Sequence, residues 1–250
     1  MSSRGKKILL GILGALALIL AAELIGRLGL AGKAWPAPSD AIFSVLGNKL
    51  NSALLFRSLG ATLVSAGTGL LIGSVAGVAV GFLGFLFPVL RPGLDQTASI
   101  LNTIPLVALA PLLITLVGPQ GMSVLTAALG AGFAMFVATA SGLLAVSPAH
   151  SDFFTVSGAS RLQHIIRLSL PSAVPSLLGG LTLAGSGAVL GAVLGEWFGA
   201  PSGLGVLMIS SMQNFQVKLL FVVALTAALV SLLAFYTMVA IQKLVGRRFA

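Results

Sequence analysis

The sequence predicts an all-α integral membrane protein of six transmembrane helices, and three observations carry that prediction. Charged residues fill 8% of 250 positions and hydrophobic ones 57%, with a mean hydropathy of +1.10, whereas a soluble domain carries about 25% charge. The apolar residues are gathered into runs of the length, about 20 residues, that crosses a hydrocarbon core roughly 30 Å thick. Those runs are continuous rather than alternating, which selects helices over a closed barrel, because lipid offers no partner to a backbone N–H or C=O. The chain reads as a single domain over residues 1–250.

The first run, residues 8–30, follows Arg4, Lys6 and Lys7. Such a start also fits a signal peptide, but Glu23 and Arg27 continue the helical pattern at i, i+4 without a clean cleavage site, so a retained first helix is expected. A polar break, Trp35-Pro36-Ala37-Pro38-Ser39-Asp40, comes next. Ser39 ahead of Ala41, Ile42 and Phe43 is a helix start, and the amphipathic segment that runs to Arg57 is expected at the membrane interface. Residues 58–90 hold no Asp, Glu, Lys or Arg and form a second span long enough to tilt. Arg91-Pro92-Gly93-Leu94-Asp95 closes it.

The next uncharged stretch, residues 96–151, is too long for one helix and is broken at Gly118-Pro119-Gln120-Gly121, a strong turn cluster. It divides into spans at 97–117 and 122–146, with Pro105 and Pro111 bending the former. A polar loop covers 147–172, a fifth span 174–195 is stopped by Glu196, and a sixth runs over 219–244. Six spans put both termini on one side of the membrane. That side holds Arg4, Lys6, Lys7, Arg91, Arg161, Arg167, Lys243, Arg247 and Arg248, against Arg27, Lys33, Lys49, Arg57 and Lys218 on the other. The excess of positive charge makes the first side cytoplasmic, and the loop 147–172 with it. The net charge of +9 is thereby topogenic, and no nucleic-acid partner is expected.

Two spans carry glycine every four residues: Gly69, Gly73, Gly77 and Gly81, then Gly187, Gly191 and Gly195. Such stripes let helix backbones approach closely in lipid.

Enzyme chemistry is scarce. Cysteine is absent, which excludes disulfides and thiolate metal sites. The two histidines, His150 and His164, fall outside the apolar runs and belong to no His-Glu-x-x-His pattern, and no Gly-x-x-x-x-Gly-Lys-Ser/Thr phosphate loop occurs. No catalytic residue, metal site or cofactor is therefore assigned to this chain. The candidates that remain line a path or gate: Asn102, Thr103 and Pro105, with Gln96, Ser99 and Thr115 as further polar residues that can instead bond locally to backbone. Glu196 is either a substrate contact or a helix-end carboxylate meeting headgroups or Lys218. Arg91 and Asp95 read as structural or topogenic. A passive channel or secondary transporter is the alternative to an energised permease. Those would place ionisable groups at mid-bilayer, and spans two to six carry none before Glu196.

In the loop, Phe153, Phe154, Val156, Leu162, Ile165 and Ile166 recur at helical spacing around Gly158. That pattern describes two short amphipathic helices, which suit lipid headgroups or a partner protein equally.

The loop also resembles the Glu-Ala-Ala signature of permease subunits in binding-protein-dependent ABC importers. Gly158, Leu170 and Pro171 match it in type and spacing, Leu168 stands where isoleucine is usual, and Asp152-Phe153-Phe154 replaces the triplet. Trp35-Pro36-Ala37-Pro38, Ile104-Pro105 with Ala110-Pro111-Leu112, and Gly195-Glu196-Trp197 with Gly203-Leu204-Gly205 are similar to the nitrate, sulfonate and taurine branch, so the likeness covers roughly residues 8–245. It implies a type I importer permease of MetI-like fold in the bacterial inner membrane. It further implies a second permease subunit, as a homodimer, two cytoplasmic ATPase subunits that hold ATP and Mg, and an external solute-binding protein. Asp152, Gly158, Ala159, Ser160, Arg161, Leu170 and Pro171 would then couple to the ATPase. The cargo implied is a small solute of the sulfonate, nitrate, taurine or vitamin-precursor kind, moved by alternating access.

Overall fold

The structure, a computed structural model, describes residues 3–246. Arg247 and Arg248, which enter the charge asymmetry, lie outside the described residues, as do the side chains of Arg4, Lys6, Lys7 and Lys33.

The first helix, α1 (Ser3–Arg27), buries none of its apolar span against the rest of the chain. What anchors it is polar. Glu23 pairs with Arg27 at 2.7 Å and also accepts from the Ser39 hydroxyl and, at 3.0 Å, from the Ser39 backbone N–H. Trp35 Nε1 donates to the Ala22 carbonyl at 3.2 Å, and its ring packs edge-on against Phe221. The Trp-Pro-Ala-Pro stretch is thus a clasp between α1 and the bundle.

Pro38 opens α2 (Pro38–Gly47), where the missing proline N–H costs nothing. Ala41 and Val45 are buried in a cluster with Leu204, Leu219, Val222 and Val223, so the segment expected at the interface packs against protein along one face. The rest of that segment belongs to the next helix. Asn48 caps α3 (Lys49–Leu86) by accepting from the Leu50 and Asn51 N–H groups at 3.0 and 3.2 Å. This span therefore runs over Lys49–Leu86 and not over 58–90.

The expected third span, 97–117, is not one helix. The first piece, α4 (Arg91–Thr103), stops because Pro105 has no N–H for the Leu101 carbonyl and drives Ile104 to an extended conformation (ψ 124°). The second piece opens α5 (Leu106–Gly142), which Gly118 interrupts with φ 70° and ψ 172°, a conformation that disfavours any Cβ. Residues 106–117 form one arm and 119–142 another. Gly69 meets Val124 and Ala127 on the second arm, and Gly81 meets Thr139, so α3 and the 119–142 arm run parallel. The chain between them must travel back, from Arg91 beside Gly84 to Ile114 beside Gly199. Among the described residues five helices are long and apolar enough to cross a membrane. The sixth passage is the composite of α4 and the 106–117 arm.

After the turn at 143–147, α6 (Pro148–Val156) leads through Gly158 to α7 (Arg161–His164), a π-turn at Ile165–Ser169 and α8 (Leu170–Glu196). The last three form one helix of 36 residues, Arg161–Glu196. The second amphipathic helix of the loop is accordingly the first turns of the fifth span. A short α9 (Leu204–Gln213) precedes α10 (Val217–Gly246).

The 119–142 arm of α5 is the centre of the bundle. Gly69, Gly73, Gly77 and Gly81 of α3 press on one side of it, where a Cβ at Gly73 would overlap the Ala128 carbonyl and one at Gly77 the Gly132 carbonyl. Gly187, Gly191 and Gly195 of α8 press on the other, against Gly130, Thr126 and Ser123. Both stripes are seams within the chain. Ala66, Ala127, Ala131, Ala184, Ala188 and Ala192 fill the same layer, small enough to keep the backbones near van der Waals contact.

Candidate functional site

Three places in this bundle hold the residues singled out from the sequence. The largest is a cavity of about 810 Å³ bounded by α3, α4 and the 119–142 arm. Gly73 and Gly77 of the seam and the break at Ile104-Pro105 all lie in its walls. Asn102, Thr103 and Pro105 are among the residues that line it. The Thr97 and Thr103 hydroxyls donate to the Gly93 and Ser99 carbonyls at 2.8 Å each. Among the other polar candidates, Ser99 donates to the Asp95 carbonyl and Thr115 to the Leu112 carbonyl, and neither these nor Gln96 lines the cavity. A smaller pocket of about 200 Å³ adjoins it at the end of α3 and holds Arg91 and Asp95. These two form an i, i+4 pair at 3.5 Å, in line with a structural role.

Glu196 stands apart from that cavity. It is 1% exposed, at the far end of α8, and meets neither headgroups nor Lys218, whose ammonium pairs instead with Asp40 at 2.7 Å. Glu196 Oε2 accepts from Thr62 Oγ1 of α3 at 3.0 Å and from the Gly205 N–H of α9 at 2.8 Å. Thr62 Oγ1 in turn accepts from the Leu204 N–H at 2.8 Å. Two of the otherwise partnerless N–H groups in the first turn of α9 are thereby satisfied from α3 and α8, with a carboxylate at the positive end of the helix. Gly203, at φ 141°, passes so close to the carboxylate that a Cβ would overlap it. The sequence singled out Glu196, Gly203 and Gly205 but offered no sign of Thr62, since a threonine within an apolar run bonds to its own helix as a rule.

At the opposite end, one contact ties α7 to α3, two join α6 to α7, and a fourth caps α7 itself. The Arg161 guanidinium donates to the Leu86 carbonyl at 2.8 Å and so serves one of the free acceptors at the C-terminus of α3. Ser151 Oγ and His164 Nε2 are 3.2 Å apart, and the Phe154 ring meets the His164 ring edge-on. Ser160 and Gln163 make a capping box at the start of α7. Gly158 takes φ 72° at the C-terminus of α6, with open space where a side chain would stand. The positive φ, and no close approach, is what calls for glycine there. Asp152 and Ser160 are exposed, Ala159 is half-buried, and Leu170 and Pro171 lie on the continuous helix that follows. Phe153 and Val156 are 67% and 90% exposed, and Leu162 and Ile166 are exposed as well. The loop thus leaves these apolar side chains uncovered while its polar groups tie it to α3 and to the helix that becomes α8.

Residues 69–250 match the family described as binding-protein-dependent transport system inner membrane component. The chain is 32% identical over 210 residues to the formylaminopyrimidine transport permease protein ThiX of Halalkalibacterium halodurans, covering 84% of this chain and 82% of that one. To the putative aliphatic sulfonates transport permease protein SsuC of Bacillus subtilis it is 29% identical over 213 residues, 84% of this chain and 77% of the relative. Its fold is similar to a chain of the MetNI methionine ABC transporter in an inward-facing conformation, with a TM-score of 0.68 and 20% identity over 79% of this chain and 99% of that one.

Proposed function

Since this chain belongs to the binding-protein-dependent transport system inner membrane components, a family of ABC importer permeases, we propose that it moves a small solute by alternating access while a separate ATPase supplies the energy. As a permease component it is a multi-pass membrane protein that transports and does not itself catalyse a reaction. The observation that carries the finer reading is the mechanical continuity from the α6–α7 loop to the cavity. The loop passes without a break into α8, α8 is seamed by glycine to the 119–142 arm, and that arm is seamed to α3. A push on the loop therefore reaches the walls of the cavity through close-packed backbones rather than through flexible side chains. Interfaces packed this tightly shift between discrete arrangements, which is what a two-state gate requires. The exposed face of Phe153, Val156, Leu162 and Ile166 is the surface on which we place the ATPase, two copies of it serving two copies of this chain. An external binding protein would deliver the solute at the Glu196 end.

In this reading both termini and the loop lie in the cytoplasm, as the excess of basic residues on that side supports. Single cysteines at Ser3, Ser157 and Ser202, in a chain that has none of its own, should react with an impermeant maleimide from the inside, the inside and the outside respectively. Labelling of position 157 from outside would overturn the orientation and the ATPase docking together.

Coupling is tested at two residues of the loop. Gly158→Val places a β-branched side chain at a positive φ, which costs about 1–2 kcal/mol locally and re-aims α6 without disturbing any span. Arg161→Glu removes the bond to the Leu86 carbonyl and reverses charge at the docking face. Both variants should insert at the wild-type level, copurify with less ATPase and lose most solute uptake. Full uptake with undiminished ATPase copurification in both would leave the loop as a segment resting on lipid.

A further inference from the structure

Resting on the permease reading above, we infer that the cavity passes an uncharged, planar, hydrogen-bonding solute of the heteroaromatic amide or aminopyrimidine class, and not an inorganic or sulfonate anion. No charged side chain lines the cavity among the described residues. The cation nearest along α4, Arg91, lies in the adjoining pocket and is already engaged with Asp95. An anion entering would give up its hydration for apolar walls with no compensating charge, a cost that rules out easy passage.

The polar groups present are of a different kind, and they lie along one wall, on α4 and at its end. Asn102, whose amide both donates and accepts, has no hydrogen-bond partner among the described residues and faces the cavity from the end of α4. The Thr97 and Thr103 hydroxyl protons are spent on backbone carbonyls, which leaves these side chains as acceptors. Beside them the chain breaks at Ile104-Pro105. There the carbonyl end of α4 adjoins the amide end of the next arm at Leu106, and both lie in the same wall. Their opposed helix dipoles cancel in net charge while offering acceptor and donor side by side. A neutral ring with an N–H next to a ring nitrogen or carbonyl matches that edge. Phe133 and Phe136, in the opposing arm, supply apolar surface for its faces. The volume, about 810 Å³, suits a ring-sized solute.

The test uses the intact importer in cells, with and without this chain, and labelled probes of two kinds: a formylaminopyrimidine and riboflavin as neutral heteroaromatics, nitrate and butanesulfonate as anions. Uptake of at least one heteroaromatic, dependent on this chain, with neither anion above the level of the chain-less strain, is expected. Chain-dependent uptake of either anion, or of neither heteroaromatic, overturns the proposal. A second arm reads the charge of the cargo directly. Asn102→Lys and Asn102→Asp place opposite charges in the wall, so an anion would be separated by roughly 100-fold between the two, whereas a neutral solute should be slowed about equally by both. A Lys-to-Asp ratio above about tenfold would overturn the proposal, and one near unity with both variants inserted supports it. ATPase copurification with the wild-type chain separates the two levels. If the ATPase copurifies and only anions are carried, the permease reading stands and this one fails; if it does not copurify, both fail.

Discussion

Replacing Glu196 with alanine is expected to release α9 from the bundle and to destabilise the protein by about 2–5 kcal/mol. The side chain is 1% exposed and one of its oxygens ties α3 to α9 through Thr62 Oγ1 and the Gly205 N–H. Truncation strands both donors in a place that water does not reach, and each unsatisfied buried donor costs about 1–3 kcal/mol. Glu196→Gln retains an acceptor oxygen within reach of both donors and should cost much less. Thermal unfolding of the purified chain in detergent measures the difference, and protease cleavage in the loop before α9 should rise in the alanine variant alone. A midpoint for Glu196→Ala within about 1 °C of wild type would show that the junction is held by apolar packing around Leu204 and not by the carboxylate.

The second large effect belongs to the glycine seams. Gly73→Leu puts a branched side chain where the Ala128 backbone lies, and Gly191→Leu does the same against Thr126 and Ala127. Overpacking by side chains usually costs 1–3 kcal/mol, but here the obstacle is main chain on both sides and cannot swing away, so each variant should fail to accumulate as folded protein. Gly67→Leu is the control: it lies on the same helix as Gly73, faces outward and has open space around it. Size-exclusion profiles of the three variants after membrane extraction are the readout. A monodisperse, full-yield peak for Gly73→Leu would mean that α3 stands away from α5.

Much of this architecture was legible because lipid makes the rules strict. Runs of apolar residues have one stable conformation in a bilayer, so the spans ending near Arg27, Gly142, Glu196 and Gly246 could be read from charge and length. The glycine stripes were legible for the same reason, although their partner was not, since periodicity names a face and says nothing of what meets it. Boundaries failed where polar residues join a helix instead of ending one. Lys49 and Arg57 sit in the first turns of α3, and Arg161 and Arg167 start the helix that becomes α8. The third span failed for a backbone reason: Pro105 bends a helix in the common case, but here it also follows an extended Ile104 and ends one. In the site, Asn102, Thr103 and Pro105 were readable as polar or bent positions in an apolar run. Thr62 and the bond from Arg161 to Leu86 were not, because each joins residues more than 70 positions apart.

The composite passage also bears on how the chain is made. Within its 13 residues α4 carries Arg91, Asp95, Gln96 and Asn102, too polar a segment to partition into lipid by itself. Emerging from the ribosome alone, α4 has no reason to leave the aqueous channel. The apolar arms of α5 that follow it do, and Gly118 lets them fold over as a pair. Biosynthesis should therefore run ahead of sequence order: residues 106–142 enter lipid as a hairpin and draw α4 in behind them, so that the polar wall of the cavity is laid down last, against a scaffold already in place.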